Sequence, residues 1–472
     1  MNPELRRNLW LQFSPLRLII APVAIGVILL LAWLATAHSL RTVAVSAEWF
    51  YLLLALLWGT RRAADLVAEE IAGGTWDGQR MSALGAWQMT WGKFIGGISY
   101  VWYGAGIAYI ARFWALALIG PLPWQGEAAY QSLQLLGIAL LGQSVSFLTS
   151  LVLLRKQVMR RRLGVTLSQF AGLAASGAAS GHLDLSILFR QMPVIDWYGW
   201  RFPGYEFALV TLGVFLCWSL FGAYRLMRVE LQFRSTPWAW TAFALFMMVY
   251  SEGLVYSPIR GAAAGLAPWE AATGLAPWLI APFTLAVLLS YAALFLEPKD
   301  VVRYRGFWSA LGKGNAGRAA TLLPQWLPVY AIAAALGITL TATGGFSNLA
   351  GVPRLVGTGL SMEFLPASGL RAIPVALVLY LLRDGLVVLF FNFGSRRARA
   401  DLTAFICLLL VYFPVTGILA TLGATSLIPI VAPYPASSPL ITIGAPLIEC
   451  LVMGVLVLRR AEAAGRFKPA VA

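Results

Sequence analysis

Two groups of residues have side chains fit for chemistry at the spacing they occupy. The first lies between Arg61 and Lys93 and carries Glu69, Glu70, Gly74, Thr75, Trp76, Asp77, Gln79, Arg80, Ser82, Leu84, Gly85, Trp87, Gly92 and Lys93. The second consists of ionisable residues set within long apolar runs: Arg112, Glu252, the adjacent Arg383 and Asp384, and Glu449. An ionisable group in mid-membrane costs about 2.5–3.5 kcal/mol on insertion scales, so each must be paired or face a cavity. Ion pairs between helices are the simpler account of this second group; a polar lining for a solute route is the sharper one.

Other chemistries find less support. His38 and His182 stand far from any Cys or carboxylate cluster, so no metal centre is expected. Cys217, Cys407 and Cys450 fall inside apolar runs and read as buried thiols rather than a disulfide framework. No paired carboxylates or His cluster suggest a membrane-embedded enzyme, and no catalytic residue is expected. A phosphate-binding loop needs G-x-x-x-x-G-K-[ST], but Gly92-Lys93 is followed by Phe94 and Gly312-Lys313 by Gly314. Nucleotide hydrolysis is therefore not expected in this chain.

The elements that position these residues are transmembrane helices. Of the 472 residues, 59% are hydrophobic and 12% charged, and the mean hydropathy is +0.75; soluble domains carry roughly 25% charged residues. Apolar runs long enough to span a bilayer recur near residues 16–37, 47–66, 93–119, 131–154, 163–181 and 205–226, then near 237–255, 275–296, 326–342, 372–393, 402–422 and 439–458. The expected fold is an all-α, polytopic transmembrane helical bundle of about twelve spans in two parallel six-helix repeats, residues 1–228 and 229–472. Arg6, Arg7 and Arg17 ahead of the first run resemble a signal peptide, but the run exceeds a secretory core of about 7–15 residues and reads as an uncleaved first helix.

A formal charge of +15 is compatible with nucleic-acid binding, but the basic residues follow the loops. With the N-terminus inside, 27 of the 35 lysines and arginines fall on the inner side, six outside and two within spans. That bias predicts cytoplasmic termini and no nucleic-acid partner. Three matches support a repeat: Leu11-Gln12-Phe13 with Leu231-Gln232-Phe233, Ser82-Ala83-Leu84-Gly85 with Ser309-Ala310-Leu311-Gly312, and the basic clusters of residues 155–162 and 396–399. The Gly and Ala run of residues 172–181 reads as a close helix contact.

The segment of residues 61–93 is long for a turn between membrane helices. Gly73-Gly74 offers a helix stop, Thr75 a cap, and Trp76, Met81, Leu84, Trp87 and Trp91 apolar anchors for a short interfacial helix. Here the chain resembles the permease family of type-2 ABC exporters, whose loop carries a Glu, a Gly-Thr pair, a Ser or Thr, and a Trp followed by Gly-Lys. The matching residues are Glu70, Gly74-Thr75, Ser82, Trp87 and Gly92-Lys93. The opening Asn2-Pro3-Glu4-Leu5-Arg6-Arg7 is similar to that family's amphipathic connecting helix. In the second half, the inner loop of residues 297–325 has Ser309, Leu311 and Gly312 but lacks the Gly-Thr pair.

The resemblance implies a fused two-half permease of a bacterial inner membrane, with a coupling loop gripped by a separate ABC ATPase subunit in two copies. ATP and Mg would be bound by that partner, with no cofactor in this chain; the other surroundings are membrane lipids. The rival is a major-facilitator-like secondary transporter driven by an ion gradient, which also has twelve spans in parallel halves. Its second-to-third loop is short and rich in Gly, Asp and Arg, unlike the long aromatic segment here.

Overall fold

The computed structural model describes residues 2–82, 84–120, 126–155, 161–179, 194–233, 237–262, 276–347, 353–356, 361–364, 367–394, 399–436 and 438–466. The expectations on Ala83, His182, Gly181, Arg396 and Arg397 lie outside them. The chain is an all-α polytopic membrane protein: among the described residues ten helices are long and apolar enough to cross a bilayer, or eleven if one bent helix pair forms a single span. It divides into two compact units, residues 1–195 with 201–235, and residues 196–200 with 236–472.

The first unit opens with α1 (Pro3–Gln12), which Asn2 caps by accepting the Glu4 N–H at 3.0 Å. Extended Phe13 and Ser14 break the helix, and Ser14 caps the first span, α2 (Pro15–Ala35). The second span comprises α3 (Leu40–Tyr51), a π-helical stretch Leu52–Trp58, and α4 (Gly59–Ala72). A π turn leaves carbonyls without their usual partners. Gln143 answers one of them, donating to Ala55 O at 2.6 Å while accepting Trp102 Nε1–H at 2.8 Å.

After α4 come the short α5 (Trp76–Arg80), the third span α6 (Ala86–Ile119), and α7 (Gly126–Arg155), α8 (Arg161–Ala179) and α9 (Gly204–Glu230). The second span packs on the third and on α7, and α7 packs on both α8 and α9. On α8, Val165, Ser168, Gly172 and Ser176 face inward while Leu163, Leu167 and Phe170 are exposed. A Cβ on Gly172 would collide with the Gly142 carbonyl and the Ser146 hydroxyl of α7. Small residues thus let these two helices touch, as the Gly and Ala run suggests. α8 is not among the ten apolar spans: Arg161, Arg162 and Gln169 lower its hydropathy, and its buried face adds Ser168, Gly172 and Ser176 to the one aliphatic Val165.

The second unit contains α10 (Trp238–Ala262), α11 (Ala276–Leu296), α12 (Val301–Gly312), α13 (Ala316–Leu322) and α14 (Trp326–Ala342). α13 and α14 meet at 97°. There follow α15 (Ala367–Asn392), then α16 (Ala400–Leu410) and α17 (Thr416–Thr421) joined by a π-helical stretch Val411–Val415, then α18 (Ile428–Val431) and α19 (Pro439–Arg466). α10 packs on α11, α11 on α14 and α15, and α15 on α16 and α19. Two small hairpins, β1 (Ile195–Trp197) with β2 (Trp200–Phe202) and β3 (Pro353–Val356) with β4 (Ser361–Phe364), lie between helices.

Leu231 is the C-cap of α9 as Phe13 is of α1, so the Leu-Gln-Phe triplets both end a helix just before a span. The Ser-Ala-Leu-Gly pair does not match in the same way. Ser309–Gly312 is the last turn of α12, whereas Leu84 and Gly85 are non-helical and Gly85 caps α6. Identical residues serve a helix end in one place and a helix start in the other, so the quartet carries no structural equivalence.

Candidate functional site

Gly73 and Gly74 end α4 because Gly74 adopts φ 69°, a left-handed conformation that costs other residues strain. The Thr75 N–H then reaches Glu70 O at 3.0 Å and the Gly74 N–H reaches Ile71 O at 3.1 Å, the two bonds of a Schellman turn. Thr75 occupies the N-cap position of α5, but its hydroxyl donates back to Glu70 O at 3.3 Å and makes no cap bond. Its backbone is still right-handed helical, so the side chain points to the preceding helix rather than into the next.

Trp76 is turned inward and buried, with Lys93 Nζ 5.3 Å from its ring centroid. The Lys93 side chain, only 2% exposed, is held by Glu4 Oε1 at 2.9 Å and also by Glu70 and the Gln79 carbonyl oxygen. Arg7 joins Glu4 at 3.1 Å and Glu70 at 3.3 Å. Two carboxylates and two cations from α1, α4 and α6 therefore neutralise one another. Burial acts to raise the Glu4 pKa, but the Lys93 charge and hydrogen bond, then Arg7 and Asn8, outweigh it and hold the carboxyl below its ordinary value.

Gly92 belongs to the same arrangement. A Cβ there would come within 2.6 Å of Glu4 Cβ and 2.9 Å of Leu5 N, and one on Gly96 within 2.6 Å of Asn8 Cβ. The two glycines, one helical turn apart, form the groove in which α1 lies. Asn8 donates to Gly92 O at 3.3 Å, and Asn2 to Gln88 O at 2.6 Å. At the far side of the loop, Arg80 donates to Glu230 O at the end of α9, 3.1 Å away. The loop is thus anchored to α1, α6 and α9.

Its outer face is exposed among the described residues. Gly73, Gly74, Thr75, Asp77, Met81 and Ser82 are exposed, Met81 at 84%. Ser82 donates to Gln79 O at 2.6 Å, Leu84 packs half-buried on the core beneath, and exposed Trp87 rests edge-on against Tyr224. Glu69 makes a surface pair with Arg62 at 2.6 Å. The residues singled out in sequence therefore divide: Glu70, Trp76, Gly92 and Lys93 look inward, while Gly74, Thr75, Ser82 and Trp87 are exposed.

In the second unit, Ser309, Leu311 and Gly312 lie on an exposed face of α12 with Val302 and Trp308. Glu297 fixes this loop from below, accepting from Arg303 at 2.6 Å and from the Gln325 N–H at 2.7 Å. Lys299 meets Asp401 at 2.8 Å.

The charges within spans are mostly paired. Arg112 bonds Glu48 at 2.8 Å and Ser132 at 3.2 Å. Arg383 bonds Asp384 at 2.9 Å, Glu449 at 2.7 Å, Tyr412 at 2.8 Å and Val431 O at 3.1 Å. Tyr291 and Tyr412 both donate to Asp384, at 2.6 and 2.7 Å. Five ion-pairing or phenolic side chains from α11, α15, the π stretch and α19 thus satisfy one another. Glu252 differs: neither carboxylate oxygen has a hydrogen-bond partner among the described residues. Glu48, Gln143, Tyr291 and Tyr412 did not stand out in the sequence; Glu48 alone had a signal, as an acid within the second apolar run.

No family model, curated protein or solved structure matches this chain.

Proposed function

We propose that the chain is the transmembrane permease subunit of an ABC-type exporter in a bacterial inner membrane, moved by a separate ATPase that grips the loop of residues 61–93. One observation carries this reading: the loop is clamped at its base by Lys93, Glu4 and Glu70 while its tip stays exposed. A rigid base and a free tip are what a lever needs, and the anchors at α1, α6 and α9 would pass a push into three helices. MgATP would bind the partner alone.

Twelve spans in two six-span halves fit this proposal. α14 and α8 supply the two spans beyond the ten. If α8 did not cross, Arg225, Arg228 and Arg234 would change sides and weaken the positive-inside bias. Its 19 residues would cover about 28 Å at 1.5 Å per residue, close to a bilayer core. The packing order supports a repeat, since first-on-second, second-on-third, second-on-fourth, fourth-on-fifth and fourth-on-sixth contacts recur in each unit. Both termini are then cytoplasmic, and ATPases would dock at the loop of residues 61–93 and, in the second half, at α12.

Glu252 favours a second reading, an ion-coupled secondary transporter, because a carboxylate within a span that has no hydrogen-bond partner among the described residues is a natural ion-coupling group. Purification of the tagged chain from native membranes separates the two. Retention of a small ATPase, lost when Thr75 and Trp87 are altered together, supports the ABC permease. Uptake by the isolated chain driven by a proton gradient sinks it.

A further inference from the structure

The first unit contains a cavity of about 690 Å³ between α1, the start of α2, α4 and α6. Its lining is two-sided. Arg7, Arg17, Arg62 and Lys93 supply cationic groups against the carboxylates of Glu69 and Glu70, while Leu11, Trp58 and Tyr100 supply apolar surface. Arg7 and Arg62 are engaged by Glu70 and Glu69. Arg17 has no carboxylate within ion-pair distance among the described residues; its guanidinium donates to Gln12 O at 3.2 Å and lies 5.8 Å from the Tyr100 ring centroid.

The elbow between α1 and α2 is held open by side chains rather than left to move. Tyr103 donates to Leu18 O at 2.9 Å, and Phe13 sits edge-on to Tyr103 with centroids 5.9 Å apart. The cavity is therefore preformed, so a ligand would not have to order it. Leu11 at 52% and Trp58 at 43% exposure carry the apolar lining outward to the surface, which continues into the lipid-facing side of α2, where Leu16 is 67% exposed.

We infer that this cavity binds the headgroup of an anionic glycerophospholipid from the leaflet on the N-terminal side. The lipid phosphate would take the uncompensated charge of Arg17, and an acyl chain would follow Leu11 and Trp58 into the bilayer. Basic pockets between membrane helices at headgroup depth recognise lipid phosphates in this way. A soluble phosphate would use Arg17 equally but would leave the apolar opening in contact with water. The inference rests on the chain lying in a bilayer and not on the ATPase reading.

The test titrates the detergent-solubilised full-length protein with phosphatidylglycerol or phosphatidylcholine and counts lipid adducts by native mass spectrometry. Phosphatidylglycerol should bind preferentially, Arg17→Gln should weaken it about tenfold, as expected for losing one charge-assisted bond, and Arg17→Lys should keep most of it. Millimolar inorganic phosphate should not displace it. Equal binding of the two lipids, an unchanged Arg17→Gln protein, or displacement by phosphate would overturn the proposal. Should Arg17→Gln fail to fold, Leu11→Glu carries the test at an exposed lining position: a carboxylate in the apolar opening should weaken phosphatidylglycerol binding, and unchanged binding would contradict the proposal.

Discussion

Lys93 Nζ lies 2.9 Å from Glu4 Oε1 across 89 positions of sequence, with the two side chains 2% and 3% exposed. The contact joins an N-terminal amphipathic helix to the start of the third span, and Glu70 brings in the end of the second. Buried ion pairs add little net stability, because desolvation offsets their attraction, but removing one partner is costly. Their value here is positional: they set where the loop between those spans begins and ends.

Lys93→Met should therefore destabilise the protein more than Glu4→Gln. It leaves Glu4 and Glu70 to share the half-exposed Arg7 as their remaining cation, at a cost of up to about 3–5 kcal/mol, whereas Glu4→Gln leaves Lys93 still paired with Glu70. Thermal unfolding of the purified variants measures the difference, and the double variant should cost less than the two single changes added together.

Acid should loosen α1. The Glu4 carboxyl has a depressed pKa in the fold, so its contribution is present above the unfolded value of 4.5 and is lost as pH falls through the folded one. Glu297 has the opposite sign: burial raises its pKa against the pull of Arg303, the Gln325 N–H and Lys299. Falling pH therefore adds stability through Glu297 until the unfolded value is reached. Hydrogen exchange followed from neutral to acid pH should show α1 losing protection before α12 does.

Gly92→Ala should lift α1 from its groove, because the new Cβ meets Leu5 N, a backbone atom that cannot turn away. A cost of about 1–3 kcal/mol is expected for overpacking, together with faster tryptic cleavage after Arg6 and Arg7. Gly78→Ala is the control. No atom lies within 4 Å of its Cβ position, so stability and cleavage should match the unaltered protein.

Arg383→Ala should be among the most damaging single changes in the second unit. It strips Asp384, which is fully buried, and Glu449 of their cation, and breaking such a pair costs about 3–5 kcal/mol. Tyr412→Phe removes one donor to Asp384 and should cost about 1–3 kcal/mol. Melting temperatures of the two variants should keep that order.

The helices were legible in sequence because apolar runs of span length have few other uses. The helix stop at Gly73-Gly74 was legible for a local reason, since only glycine takes the Gly74 conformation without strain. α8 was harder to class: Arg161, Arg162 and Gln169 and the small residues of its buried face lower its hydropathy, although it packs closely on α7. The direction in which Glu70 points was not legible. Its partners Arg7 and Lys93 come from helices distant in sequence, and a single chain read along its length marks a polar residue without naming the cation that will meet it. Arg383 and Asp384 were evident as charges in a span, but the tyrosines that satisfy Asp384 look like ordinary aromatic residues of apolar runs.

The lever is tested most directly at its exposed tip. Met81→Cys, placed where the side chain is 84% exposed, should leave folding unchanged and cross-link to an ATP-binding-cassette chain co-purified with this protein through a short thiol-to-amine linker. The yield should change when ATP and Mg are added. A Met81→Cys protein that folds normally yet captures no ATPase, while the isolated chain moves solute in response to a proton gradient, would contradict the account.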